Sequence, residues 1–252
     1  MNVKLNYEEK GQGFPLIMLH GNRQNLTYFK NQIDFFSKKY KVIAIDTRGH
    51  GRSPAGNAPC TIRQFADDLN DFMEQKNIEK AHILGFSDGG NTAAVFALNH
   101  SEKIGKLILS GANLDPSGVK EYFRIPALFA YRFLSLFEKR KCVDPEDRTV
   151  SCRQKNRKAN IGSNSKAKQK ITKIELLSLI VNEPNIKPEE LMKIKAPALV
   201  IAGTHDLIKD SHTRLIASSL PDSRIVFIRG GHSLARLRPE KFNEAVIRFL
   251  GE

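Results

Sequence analysis

Gly85-Phe86-Ser87-Asp88-Gly89-Gly90 is the stretch on which the reading of this chain turns. An apolar run, His82 to Phe86, leads into it, and an alanine-rich helical pattern, Asp88 to His100, leads out. A serine between glycines at such a junction is a G-x-S-x-G turn from strand to helix. The turn is tight and pushes the Ser87 hydroxyl out of the sheet. A Cβ at position 85 or 89 would crowd it, and Gly90 lets the helix lie close to neighbouring strands. Ser87 also stands at a helix N-terminus, where the aligned peptide dipoles favour a developing oxyanion. Ser87 is therefore a candidate nucleophile.

A serine nucleophile needs a base, and the base needs an acid to orient it. Two turns further along offer them. Gly203-Thr204-His205-Asp206 follows the apolar run Ala198 to Ala202, and Gly230-Gly231-His232-Ser233 follows Arg224 to Ile228. Asp206 and His232 thus stand just past strand ends, as Ser87 does. Asp115, past the Lys106 to Ser110 run, is the rival acid. A fourth turn, His20-Gly21-Asn22, follows Leu16 to His20. Its glycine lets the chain bend so that a backbone N–H faces the serine. The expected oxyanion hole is the N–H groups of Asn22 and Asp88, with His20 as a hydrogen-bonded support. The loop Asp46 to Ser53 offers no nucleophile and reads as structural.

Working outward, short apolar runs alternate with helical patterns, which points to an α/β fold with a mostly parallel sheet flanked by helices. Strands are expected at Val3–Tyr7 (antiparallel, at an edge), Leu16–His20, Val42–Asp46, His82–Phe86, Lys106–Ser110, Ala198–Ala202 and Arg224–Ile228. Thr61 caps a helix with the stripe Ile62, Phe65, Leu69, Phe72 and Met73. Further helices are expected at 174–181, 212–219 and 239–250, the last with Pro239 at its first position. The interval 113–195 breaks the alternation and reads as an insertion above the strand ends. It opens with aromatics, of which Phe123, Phe129 and Phe133 are candidates to wall a substrate pocket.

The chain has 252 residues, 40% of them hydrophobic and 27% charged, a globular composition with room for a large core. No apolar run reaches the roughly 18 residues of a membrane span. Met1 to Lys10 holds no apolar signal-like run, so a cytoplasmic protein is expected. Cys60, Cys142 and Cys152 are too few for a disulfide framework or a four-ligand zinc site, and no metal is expected. The net charge is +13, but residues 120–173 hold 15 Lys and Arg against 5 Asp and Glu, a net of +10. The charge belongs to one segment. A binding protein that uses this segment on nucleic acid or an anionic membrane is the competing class. Its lysines are not interleaved with stacking aromatics, so a solvated face is the simpler reading.

Together the GFSDGG, HGN, DTRGHGRS, GTHD and GGHS stretches resemble the α/β-hydrolase superfamily, its small serine esterases most of all. The order Ser87, Asp206, His232 is the order that fold uses. The resemblance covers 1–112 and 196–252 as a core domain, with 113–195 in the position of a helical, here basic, cap. It implies an esterase-type acyl transfer to Ser87, a small-molecule ester-type substrate and no cofactor. C–C bond hydrolases and perhydrolases share the same residues. A serine at position 87 argues against the branches that carry aspartate there. The usual first strand of the family is expected to be missing. Asp88 places a carboxylate where negative charge develops; similar SDGG turns occur in enzymes cleaving amino-acid esters, which implies a role for Asp88 in holding an α-amino group.

Overall fold

The computed structural model describes residues 3–141 and 170–252. Seven strands form one sheet: β1 (Tyr7–Lys10), β2 (Pro15–Leu19), β3 (Lys41–Ile45), β4 (Ala81–Phe86), β5 (Ile104–Ser110), β6 (Ala198–Gly203) and β7 (Ser223–Ile228). Their order is β1-β3-β2-β4-β5-β6-β7. Only β1 runs antiparallel, with Tyr7 opposite Ile45. The chain goes outward from β2 to β3 and then returns to β4, so β2 and β4 are neighbours at the point where strand order reverses. Crevices at the carboxyl ends of strands open at such points.

The five inner strands, β2 to β6, are buried on both faces, which is why they read as apolar runs rather than alternating ones. On β3, Ile43 and Ile45 join Ile17, Leu19, Ile83 and Leu109 on one face, under helices α2 (Ile62–Gln75) and α3 (Asp88–Asn99). Val42 and Ala44 join Leu16, Met18, Leu84 and Ile108 on the other. That face is covered by α1 (Lys30–Phe36) and the C-terminal helices α7 (Leu234–Leu237) and α8 (Pro239–Gly251). Helix α6 (Asp210–Ser219) packs against β6 and β7. The Thr61 hydroxyl accepts from the Gln64 N–H at 3.1 Å, as its reading as a cap requires.

The first strand lies later than expected. Val3 and Leu5 are buried, but the ladder begins at Tyr7 and takes in Glu8, Glu9 and Lys10. An edge strand is paired on one side only and tolerates exposed charge, whereas the apolar pair upstream fills the core without joining the sheet. Three α-helices carried no expectation: α1, the short α7 and the long α4 (Glu121–Lys141), which has Pro126 inside it.

Within the 113–195 interval, α4 packs against α5 (Lys173–Val181), which begins with a capping box between Thr172 and Glu175. The Ile171 N–H donates to the Gly49 carbonyl at 3.2 Å and ties the returning chain to the 46–53 loop. Its last part, with Ile186, Leu191 and Ile194, is buried in the main core. The basic stretch 142–169, including Cys142, Cys152 and Lys155 to Lys168, lies outside the described residues. Among the described residues no helix is long and apolar enough to cross a membrane.

The 46–53 loop is a structural clasp. Asp46 accepts from the Leu26 and Arg52 N–H groups and from Asn6 Nδ2, each at 2.8 Å. Arg48, 1% exposed, meets both oxygens of Asp68 on α2 at 2.7 and 2.5 Å and donates to the Ala55 carbonyl. A buried ion pair is tolerated when its remaining hydrogen bonds are met in this way.

Candidate active site

Ser87 joins β4 to α3 with φ 54° and ψ −120°, a backbone conformation that side chains rarely adopt. What holds it there is visible on both sides. The Ser87 N–H still pairs with the Ser110 carbonyl of β5 at 2.8 Å. A Cβ at Gly85 would run into the Gly89 carbonyl, and one at Gly89 into the Leu19 carbonyl. The helix can therefore start directly over the strand ends only with glycine at both positions.

Asp206 and His232 arrive from the ends of β6 and β7, whose loops are stitched together. The Thr204 N–H donates to Ile228 O at 3.0 Å and the His205 N–H to Gly230 O at 2.9 Å. His232 Nδ1 lies 2.6 Å from Asp206 Oδ1, and Nε2 lies 3.0 Å from Ser87 Oγ. A carboxylate only accepts, so Nδ1 carries the proton and Nε2 is left to accept from the hydroxyl. Asp206 is fully buried and also accepts from the N–H groups of Gly203 and Ile208, at 3.1 and 3.0 Å. Burial pushes its pKa up, but His232 and these two N–H groups outweigh that and hold it below the usual carboxylate value. The imidazole ring rests 4.8 Å from the Phe86 ring. A Cβ at Gly111 would lie 2.7 Å from its Cε1, so the end of β5 must be glycine for the histidine to lie there.

The rival acid is engaged elsewhere. Asp115 accepts from the Ser117 N–H at 2.7 Å and caps the turn Pro116–Gly118.

The turn after β2 lies directly against the serine: a Cβ on Gly21 would come within 3.0 Å of Ser87 Cβ. His20 supports this turn. Its Nδ1 meets the Gly21 carbonyl at 2.8 Å, and its Nε2 accepts from the Thr47 N–H at 3.1 Å. Burial, with the neighbouring His50, pushes its pKa down to about 4, so it is neutral. The Asp88 N–H, at the first position of α3, has no partner within its own helix. Asn22 does more than offer a backbone N–H. Its Nδ2 donates to Asp88 Oδ2 at 2.8 Å and to the Leu176 carbonyl of α5 at 3.0 Å. Its Oδ1 is buried without a partner among the described residues.

Asp88 is half-buried beside the serine. Desolvation pushes its carboxyl up to about 6, the charge of Glu183 pushes the same way, and the Asn22 hydrogen bond and His232 oppose them. Glu183 was not foreseen. It stands on the return from α5, accepts from the Ile62 N–H at 2.5 Å and is itself raised by burial. No motif marks it, because only folding of the insertion brings it to Asp88.

The aromatics singled out as pocket walls stand on α4 with much of their surface exposed. Phe123, Phe129 and Phe133 are 41%, 67% and 60% exposed. Helix α4 instead buries Ala127 and half-buries Leu128, Tyr131 and Leu134. Aromatic content gave no indication of which stripe of this helix turns inward. Among the described residues no group of three or more His, Cys, Asp or Glu is gathered as a metal ion would need.

A sheet of this order, with the serine turn at the reversal of strand order, is the architecture of the α/β hydrolases. The family described as alpha/beta hydrolase fold matches residues 15–236, and the chain belongs to it. A 2-hydroxy-6-oxononadienedioate/2-hydroxy-6-oxononatrienedioate hydrolase of Burkholderia vietnamiensis is 30% identical, over 98% of this chain and 91% of its own. A RutD protein of Azorhizobium caulinodans, assigned by name to carbamate hydrolysis, is 26% identical over 100% of this chain and 96% of its own. The crystal structure of an enol-lactonase from Burkholderia xenovorans LB400 superposes with a TM-score of 0.76 at 26% identity, covering 99% of this chain and 97% of that one.

Proposed function

We propose that this chain is a serine hydrolase that cleaves carboxylic esters through an acyl-enzyme. The observation that carries the reading is the unbroken line from Asp206 through His232 to Ser87, two hydrogen bonds of 2.6 and 3.0 Å. His232 Nε2 takes the hydroxyl proton as Ser87 Oγ bonds to the ester carbonyl carbon, and the C–O bond to the alcohol then breaks. The imidazolium returns the proton to the departing alkoxide. Water repeats the sequence on the acyl-enzyme and releases the acid. Asp206 holds the tautomer and faces the imidazolium while it exists. The N–H groups of Asn22 and Asp88 receive the oxyanion. No step needs a cofactor. The substrate is a small molecule met in the cytoplasm, and the basic stretch of the insertion is a solvated face rather than a nucleic-acid site. A lactone is a cyclic ester, so the activity named for the enol-lactonase belongs to the same class of bond.

The acceptors around Ser87 narrow the ester further. Asp88, Glu183 and the unpartnered Asn22 Oδ1 offer negative charge and lone pairs with few donors to meet them. An ammonium group next to the scissile carbonyl, as in an α-amino ester, supplies those donors. A charge-assisted contact of this kind is worth about 1.5–3 kcal/mol, or roughly 10- to 150-fold. Asp88→Asn should lower kcat/KM for an α-amino ester by about that factor and leave the matched ester without the amine nearly unchanged. The pH dependence has a definite sign. Asp88 is neutral below about 6, and an α-amino group loses its charge near 8. The preference of wild type for the amino ester should therefore rise through about pH 6, peak, and fall again towards 8. Equal loss on both esters in Asp88→Asn would make the carboxylate a structural group and end the amino-ester reading.

The relatives named for hydrolysis of 2-hydroxy-6-oxononadienedioate, an oxo acid, favour as a second reading the carbon–carbon bond hydrolysis that the same residues also allow. The substrate in that name is a dioate, and a second anion beside Asp88 and Glu183 would be repelled. A panel of esters, amides and vinylogous diketone acids, with Ser87→Ala as the blank, separates the two. Turnover of the diketone acids above the esters would establish the second reading.

A further inference from the structure

A groove of about 640 Å³ lies on the far side of the last strand, away from the residues around Ser87. One wall is β7 from Arg224 to Arg229, and the other is α8 with its approach, from Arg238 to Glu252. At 3.3 Å per strand residue and 1.5 Å per helical residue both walls run for about 20 Å. The volume is in the range of small-molecule sites. The floor is apolar, with Val226 and Ile228 from β7 and Ala245 and Phe249 from α8. It is open because β7 is the outer strand of the sheet.

The charge around the rim is uneven. Five cationic side chains line the groove against two acidic ones. Both acids are taken: Glu252 pairs with Arg224, and Glu244 lies 3.4 Å from Lys241 and 3.5 Å from Arg248. The two cations without an ion pair among the described residues are Arg229 and Arg238. They stand together at one end, where Arg238 Nε donates to the Arg229 carbonyl at 3.2 Å. One end of an apolar channel thus holds two guanidinium groups with no carboxylate partner among the described residues, while the other five charged side chains, three cations and two acids, nearly cancel.

We propose that this groove binds a single-chain amphiphilic anion, an alkyl carboxylate. Its head lies between Arg229 and Arg238 and its tail lies along Val226 and Ala245. A planar carboxylate matches the fork of a guanidinium, and the chain takes up apolar surface that β7 and α8 leave exposed to water. The inference is independent of the chemistry at Ser87, since no groove residue belongs to that site.

The test is titration calorimetry with dodecanoate below its micellar concentration, on wild type, on Arg229→Gln/Arg238→Gln and on Ala245→Phe. Far-ultraviolet dichroism checks that each variant is folded. Wild type should bind one dodecanoate, more weakly as salt is raised. The double arginine variant should bind roughly tenfold more weakly, two exposed charge contacts each being worth a few-fold. Ala245→Phe, which fills the floor, should not bind. Should that variant fail to fold, the arginine pair and dodecanol carry the test, because the uncharged alcohol should bind no better than dodecanoate does to the double variant. Absence of saturable binding to wild type would overturn the proposal. So would binding indifferent to the arginine pair, which would place the ligand at Ser87, or equal binding of dodecanol. Self-association of the chain that the same variants abolish, without dodecanoate binding, would assign the groove to a second copy instead.

Discussion

Ser87→Ala should reduce ester hydrolysis by about 10³- to 10⁶-fold and abolish labelling by a fluorophosphonate, while the melting temperature hardly moves. The size follows from losing the atom that forms the acyl bond, after which only binding and the oxyanion donors remain. The small effect on stability follows from the geometry. Among the described residues the hydroxyl has one partner, His232 Nε2 at 3.0 Å. The unusual φ of 54° suits alanine no better and no worse than serine, so the strain at the turn is unchanged. Active-site labelling and a thermal melt on the same preparation check both halves. Labelling that survives in Ser87→Ala would identify another nucleophile.

Asp206→Asn should lower kcat by about 10⁴-fold with a smaller change in KM, because an amide can donate to Nδ1 and so favours the wrong tautomer. Some stability should go too, as an amide oxygen cannot replace a carboxylate that accepts from Gly203, Ile208 and His232 together. Asp115→Asn is the comparison. Its carboxylate caps a surface turn through Ser117, so activity should stay within a few-fold of wild type. A crippled Asp115→Asn beside a mild Asp206→Asn would reverse the acid assignment. Asp206 is held below the usual carboxylate value, so it stays ionised in mildly acidic solution and its own titration should not appear in the neutral pH profile.

Six of the seven strands could be read from the chain to within a residue or two, because each carries a continuous apolar run bounded by glycine or polar residues. The seventh could not. Val3 and Leu5 alternate like a strand yet pack as irregular chain, and the true edge strand is Tyr7–Lys10, whose charged residues give no such signal. Ser87, Asp206 and His232 were legible because each needs a turn of special composition just past a strand, and composition is local. Glu183 and Gly111 were not. Their positions depend on how the insertion and the end of β5 pack, and neither leaves a local mark. The same limit applied to α4, where ten aromatic, leucine and isoleucine residues fit either face of a helix and only its packing against α5 selects Ala127, Leu128 and Tyr131.

The stitched loops after β6 and β7 have a consequence for how the protein comes into being. Ser87 and His232 are 145 positions apart in the chain, and the strand that delivers the imidazole is the last of the sheet in chain order. During synthesis the serine turn, its glycines and the Asn22 loop can all be in place while the hydroxyl has no base. An unfinished chain, or one clipped within residues 142–169 that cannot re-pair β5 with β6, therefore carries an inert serine. Contacts of such long range also form late in folding. Appearance of a reactive Ser87 would thus time the closing step of assembly, and it would do so without any added reporter.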